Sequence, residues 1–346
     1  MTTRYLIRTL SLMISLIFIG VTVQAATTLT SVKTDKPILL SGAVDNAWQK
    51  AAPMKVTLDN RPYEPSNGYA GMQETTVTMK SLYDNEYIYF LLQYNDPTKS
   101  LARFPWIKQE DGTWKQMKKK DSTGHDNTYY EDKAAIFWNI NTKGFKEEGC
   151  TISCHMDIAG DTSAGRKFTN NPGETIDIWH VKNVRTSPLG QVDDQFMDST
   201  SNGKTNKGFG RKGDMKTGGG YKNNYNKDKT GPAYMNFPPS EKAKYYVLPS
   251  LKTPFVDIYK PGDVVPGIVI DAFQGPRADI EMRGKWDKGM WTVEIRRKLV
   301  TTGEKADIQD VQFDDLSRTY YFGISVFDNS QINHLYHDGV LALQFK

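Results

Sequence analysis

Residues 75–83, Thr-Thr-Val-Thr-Met-Lys-Ser-Leu-Tyr, alternate β-branched or apolar side chains with polar ones. A period of two marks a strand with one buried face. Asp84-Asn85-Glu86 interrupts the run with turn formers, and 87–94, Tyr-Ile-Tyr-Phe-Leu-Leu-Gln-Tyr, resumes it. Together they predict a β-hairpin. Comparable runs predict strands over 134–140, 176–181, 265–272, 291–299, 320–328 and 340–345. Helical periods are scarce, and 45–52 is one short candidate. Many strands with Gly, Pro, Asn and Asp between them predict an all-β chain, an antiparallel β-sandwich with long loops and a few short helices.

Two stretches break the strand pattern and are expected as loop insertions in a single domain over 26–346. Residues 115–133 are highly charged and contain His125. Residues 201–230 are rich in Gly, Asn and Lys, with Asp214 and Asp228 as the only acids. A solvated loop is the plain reading of such a run. The sharper one is a docking surface for an acidic redox partner, since a positive patch accelerates encounter at low salt.

The N-terminus changes the picture of where the chain works. Arg4 and Arg8 precede an apolar run from Leu10 to Val23, and Val23-Gln24-Ala25 offers a cleavage site. Residues 1–25 are therefore expected to be a signal peptide, cut near Ala25, because the apolar run falls short of the ~20 residues a membrane span needs. The expected location is the periplasm, where thiols are oxidised or modified. A net charge of +4 over 346 residues gives no reason to expect nucleic acid. No Ser/His/Asp set, phosphate loop or H-E-x-x-H pattern is present, so the expectation is a protein that is not itself an enzyme.

Cys150-Thr-Ile-Ser-Cys154-His155 carries the candidate chemistry, and it contains the chain's two cysteines. Two thiols followed at once by an imidazole suit covalent haem attachment, with the histidine ligating iron; the usual spacing is C-x-x-C-H, one residue shorter. A disulfide accounts for the thiols but not for His155. A zinc site lacks a second ligand pair. His155 is thus the expected proximal ligand. His125, His180, His334 and His337 are the other histidines, and Met156 follows the motif directly. His180, at a strand end, is placed to line the pocket or bond a propionate. Lys182 and Arg185 are candidates to pair with propionates.

Several segments resemble a known family. Residues 44–51, Val-Asp-Asn-Ala-Trp-Gln-Lys-Ala, and 82–89, Leu-Tyr-Asp-Asn-Glu-Tyr-Ile-Tyr, are similar to the opening of the carbohydrate-binding-module-9-like sandwich. Residues 176–182, 289–299 and 321–328 resemble the haem-binding domain of ethylbenzene dehydrogenase γ-subunits and of related dimethyl-sulfoxide-reductase-type haem subunits. The resemblance implies a single-electron carrier, a periplasmic monohaem c-type cytochrome that partners, or serves as haem subunit of, a molybdenum oxidoreductase. It places the distal ligand in the final hairpin, at His334 first and His337 second. It leaves two alternatives: a b-type haem subunit with a Cys150–Cys154 disulfide, in which Met156 is a fallback ligand, and a haem-free carbohydrate-binding module. In the last, Trp179, Trp286 and Trp291 would form an exposed sugar platform.

Overall fold

The computed structural model describes residues 27–154, 168–200 and 210–346. The signal-peptide expectation, His155, Met156 and the start of the second insertion, 201–209, fall outside them. Thirteen strands form the main sheet. They are β1 (Thr27–Lys33), β2 (Met54–Leu58), β3 (Thr75–Tyr83), β4 (Tyr87–Asn95), β5 (Lys133–Asn139), β6 (Ile176–Lys182) and β7 (Asp193–Met197). There follow β8 (Arg211–Gly213), β9 (Glu281–Asp287), β10 (Met290–Lys298), β11 (Tyr320–Phe327), β12 (Leu335–Tyr336) and β13 (Leu341–Phe345).

Across the sheet the order is β8-β7-β6-β5-β11-β13-β1-β3-β4-β10-β9, with β12 added to β11 and β2 to β3. The pairings are antiparallel except those of β1, which lies parallel to both β13 and β3. That strand joins two antiparallel halves, and the halves close on each other. Phe90 on β4 packs against Trp138 on β5 and Trp179 on β6, with ring centroids 5.5 and 5.6 Å apart. The result is the expected sandwich, mostly strand with short helical turns.

The expected hairpin forms over β3 and β4. Asp84 Oδ1 accepts hydrogen bonds from the Glu86 and Tyr87 amides at 2.8 and 2.7 Å, closing the turn. The expected helix over 45–52 is a 3-10 turn, Asn46–Lys50, capped by Asp45. Its Trp48 is fully buried and donates its indole N–H to Glu294 at 3.1 Å.

The pleat of β5, β6 and β11 sorts their residues between two environments. Ala134, Ile136, Trp138, Trp179, Val181, Phe322 and Ile324 point into the main core between the layers. Each large side chain sealed there contributes roughly 1.5–3 kcal/mol. Their neighbours in sequence point to the outer face, where a separate apolar cluster gathers Phe145, Cys150, Ile152, Cys154, Ile176, Ile178 and Met197.

Neither insertion is simply a solvated loop. In 115–133, Asp121, Asp126, Glu131 and Asp132 are buried. Asp126 Oδ1 accepts from the Thr128 and Tyr129 amides at 2.9 and 2.6 Å, the kind of bonding that lets a carboxylate be buried. In the second insertion, Gly218–Asn223 pairs as a strand with Ile268–Gln274.

Candidate functional site

The outer face of the sheet is built from two rows of paired residues. Gly323, Phe137, Ile178 and Gln195 form one row across β11, β5, β6 and β7. Ser325, Ala135, His180 and Asp193 form the next. Glycine, alanine and serine leave the middle of this face low. Phe327, Lys133 and Lys182 close it along a third row.

The cysteines approach this floor on one tight turn. Gly149–Ile152 is a 3-10 turn, and the Cys154 amide donates to the Cys150 carbonyl at 2.9 Å. A bond across four residues brings both thiols to one side of the turn. The three-residue gap therefore does what the shorter C-x-x-C gap does elsewhere: it presents two sulfurs together. The turn presses close to its surroundings. Gly149 has φ +65°, and a Cβ there would lie 2.1 Å from the Gly339 carbonyl oxygen, so only glycine fits. A Cβ on Gly323 would lie 3.3 Å from Cys150 Sγ. Cys150 and Cys154 are both buried. Burial, then the neighbouring Cys154, pushes the Cys150 thiol well above its usual range.

The histidines differ in what their nitrogens do. His337 is buried; its Nε2 accepts from the Ile324 amide at 3.2 Å and its Nδ1 donates to the Asp338 carbonyl at 3.0 Å. Both nitrogens are engaged. His334 is half-buried, donates from Nδ1 to the Ile332 carbonyl at 2.7 Å, and packs on Phe327 with centroids 4.7 Å apart. His180 is 3% exposed, and its Nδ1 meets Gln195 Oε1 at 3.4 Å. Its Nε2 is buried with no hydrogen-bond partner. It stacks on Phe327 at 5.6 Å, so that ring touches both His180 and His334. Burial, then Lys182 and Lys133, holds the His180 pKa well below the usual histidine range. It is neutral, with the proton on Nδ1 and a lone pair on the unpartnered Nε2, the form in which imidazole ligates metals. His125 sits in its own turn, 3.0 Å from Thr123 Oγ1.

The charged residues depart from expectation. Lys182 and Arg185 are buried, and each is already paired, Lys182 with Asp193 and Arg185 with Glu131. Arg277 also bonds Asp193, at 2.7 Å, and Arg103 approaches Glu131 at 3.7 Å. The residue that sequence reading missed is Lys133. It is 2% exposed, lies 3.8 Å over the Phe327 ring, and donates to the Gln331 carbonyl at 2.9 Å. Among the described residues it forms no ion pair. Nothing in its charged neighbourhood, Glu131-Asp132-Lys133, distinguished it from a solvated lysine.

The sugar platform is overturned. Trp179 and Trp291 are 0% and 4% exposed in the main core, and Trp286 donates its indole N–H to the Asp96 carbonyl at 2.9 Å. Trp179, Tyr320 and Phe322 also face that core, on the opposite side of the sheet from the cysteines. A separate open cavity of about 730 Å³ lies beside the small sheet of 106–108 and 114–116, lined by Trp106, Trp114, Tyr225 and Lys229 among others.

The solved structures similar to this chain include a family 9 carbohydrate-binding module from Caldicellulosiruptor kristjanssonii, with glucose and with cellotriose. Both are 11% identical and cover 92% of this chain and 95% and 94% of theirs, with TM-scores of 0.36 and 0.35. A candidate carbohydrate-binding protein from Bacteroides uniformis is 8% identical over 93% of this chain and 100% of its own, with a TM-score of 0.36. No curated protein matches the sequence. The pattern of one sequence family, however, spans nearly all of the chain, from residue 45 to 339. By that match, the chain belongs to the ethylbenzene dehydrogenase family.

Proposed function

We propose that this chain is a monohaem c-type cytochrome, exported to the periplasm, that carries single electrons to or from a redox protein such as a molybdenum oxidoreductase. Family membership supports the oxidoreductase association. The observation that carries the reading is on the outer face: two thiols on one turn share it with a buried neutral imidazole whose Nε2 has no partner. Cys150 and Cys154 would hold the porphyrin through thioether bonds, and His155, next in sequence, would ligate iron. Of the described histidines, His180, with its unpartnered Nε2, would be the first candidate for a second iron ligand. His334 comes second, and His337 last because both its nitrogens are engaged.

Bound haem would supply a one-electron iron couple. The chain's own residues do the rest. Gln195 fixes the tautomer and angle of His180. Lys133, a buried amine whose pKa is held well below the usual lysine range by burial and then by Arg185, has no ion-pair partner among the described residues, so a propionate would supply the counter-charge that Lys182 and Arg185 already have. Phe145, Ile176 and Ile178 keep water from the cysteine turn.

Haem staining of the exported protein on a denaturing gel tests the proposal. Stain should survive denaturation, and vanish when Cys150 and Cys154 are both changed to Ala. Stain absent from the parent protein, with haem leaving into acidified acetone, would establish the b-type alternative instead. Absence of haem in both assays would end both readings. The cavity around Trp114 and Tyr225 would then be the place to look for sugar binding, by titration with glucose and cello-oligosaccharides.

A further inference from the structure

One end of the sandwich holds three buried carboxylates that the outer-face site does not use. Asp96 follows β4, Asp132 precedes β5 and Asp328 follows β11. Each continues the core-facing register of its strand, two positions from Tyr94, Ala134 and Val326. β4 belongs to one layer, and β5 and β11 to the other, so the group spans the gap between layers. One oxygen from each lies within 4.8 Å of the others, and the residues are 0%, 0% and 4% exposed.

Among the described residues no lysine, arginine or histidine forms an ion pair with any of the three. Three buried carboxylates without a cation are costly. Backbone amides nonetheless hold each of them in place. Ser100 and Asn329 donate to Asp132 at 2.7 and 2.9 Å, Met72 to Asp328 at 2.8 Å, and Thr98 to Asp96 at 3.0 Å. Asp96 Oδ2 is left without a partner.

A second observation is independent of the acids. Tyr94 is 1% exposed, its hydroxyl feels all three carboxylates, and that hydroxyl has no hydrogen-bond partner. A phenol and a carboxylate oxygen that both lack partners in a sealed space call for something between them. We propose that Asp96, Asp132 and Asp328, beneath the hydroxyl of Tyr94, bind a calcium ion that ties the two layers together. The donors are all oxygens, with no sulfur or nitrogen, which selects a hard cation. Carboxylates from three strand ends, completed by water near Tyr94, suit the flexible 6–8 oxygen shell of Ca²⁺ better than the strict octahedron of Mg²⁺. The ion would also brace the outer-face site from behind, since Lys133 adjoins Asp132 and Phe327 adjoins Asp328. The proposal does not rest on the haem reading.

The test uses the full exported protein. Elemental analysis should find one calcium per chain after dialysis. EGTA should either leave that calcium in place or remove it and lower the unfolding midpoint by several degrees. In EGTA-stripped protein, terbium should emit when tyrosine and tryptophan are excited, because Trp291 lies 3.3 Å from Asp132 and Tyr94 faces the group. Added calcium should quench that emission. Asp96→Asn and Asp328→Asn should weaken terbium binding at least about tenfold, while Asp194→Asn, in another acid cluster, should leave it intact. If the variants do not fold, the parent protein decides alone. Calcium well below one per chain, with no terbium emission and a midpoint indifferent to EGTA, would overturn the proposal and leave the carboxyls sharing protons. Haem content, scored on the same samples, reports separately on the cytochrome reading.

Discussion

Asp193 and Asp194 are neighbours on β7, both fully buried, and they live in opposite electrostatic worlds. Asp193 points to the outer face, where it bonds Lys182, Arg277 and the Tyr221 hydroxyl. Burial alone would raise its pKa, but Lys182 and Arg277 hold it far below the usual carboxylate range. Asp194 points inward among Asp177, Asp214, Asp279 and Asp310, with Arg297 as the cation of the group. Burial and those neighbours push it well above the usual range, and it shares a side-chain hydrogen bond with Asp279. One step along a pleated strand thus separates a carboxylate that must be charged from one that must be neutral. The same pleat puts His180 outward and Trp179 inward on β6.

The sharpest way to break this comparison is to neutralise each aspartate. Asp193→Asn strands the buried Lys182 and the half-buried Arg277 and should cost about 3–5 kcal/mol in chemical denaturation. A loss as small as that from Asp194→Asn would show that the two faces do not differ as described. The pH dependence should also split by face. His180 and His337 have folded pKa values held below the unfolded value of about 6.5. Their contribution is present above that value and is lost as pH falls below it, at up to about 1.4 kcal/mol per pH unit for each histidine. Asp177 and Asp214 are pushed up to about 8 and about 9. Their contribution is present below about 3.8 and is lost as pH rises from there through those values. Comparing stability against pH for His180→Phe and Asp214→Asn separates the two. The first should flatten the loss below about pH 6.5, and the second the decline that runs from about pH 3.8 to about 9, which alone remains above the histidine window.

Two smaller effects sharpen the contrast. Lys133→Met removes a buried amine with no ion pair among the described residues, whose pKa burial and then Arg185 hold well below the usual lysine range, and should stabilise haem-free protein by roughly 1 kcal/mol while weakening haem retention. A loss of stability on that change would mean that its bond to the Gln331 carbonyl and its contact with Phe327 outweigh the cost of burying it. Asp194→Asn should alter stability by less than about 1 kcal/mol at neutral pH, since the carboxyl it replaces already carries a proton.

Much of the fold was legible because it is local. The hairpin of β3 and β4 appears in the sequence as two alternating runs around a turn-forming triplet, and it folds within about a residue of its expected ends. The candidate site was legible in part. The cysteines stood out as a pair, but nothing local showed that a bond across four residues would bring them to one side. His180 could be named as a pocket residue, whereas its unpartnered nitrogen depends on Gln195, fifteen positions away on another strand. Lys182 and Arg185 looked available to propionates because a sequence does not show that Asp193 and Glu131 will be buried beside them.

Alternation, turn residues and the cysteine-histidine motif, each set by residues within a few positions of one another, by themselves determined that this is a β-protein with a candidate cofactor loop. Only the tertiary structure decided the rest. It inserted β1 in parallel between two antiparallel halves, shifted the neighbouring aspartates of β7 in opposite directions, and gathered Asp96, Asp132 and Asp328 from three distant strand ends. Those outcomes turn on burial and on partners far apart in the chain, and a side chain's charge, pKa and free hydrogen-bonding capacity follow from its partners rather than from its neighbours in sequence.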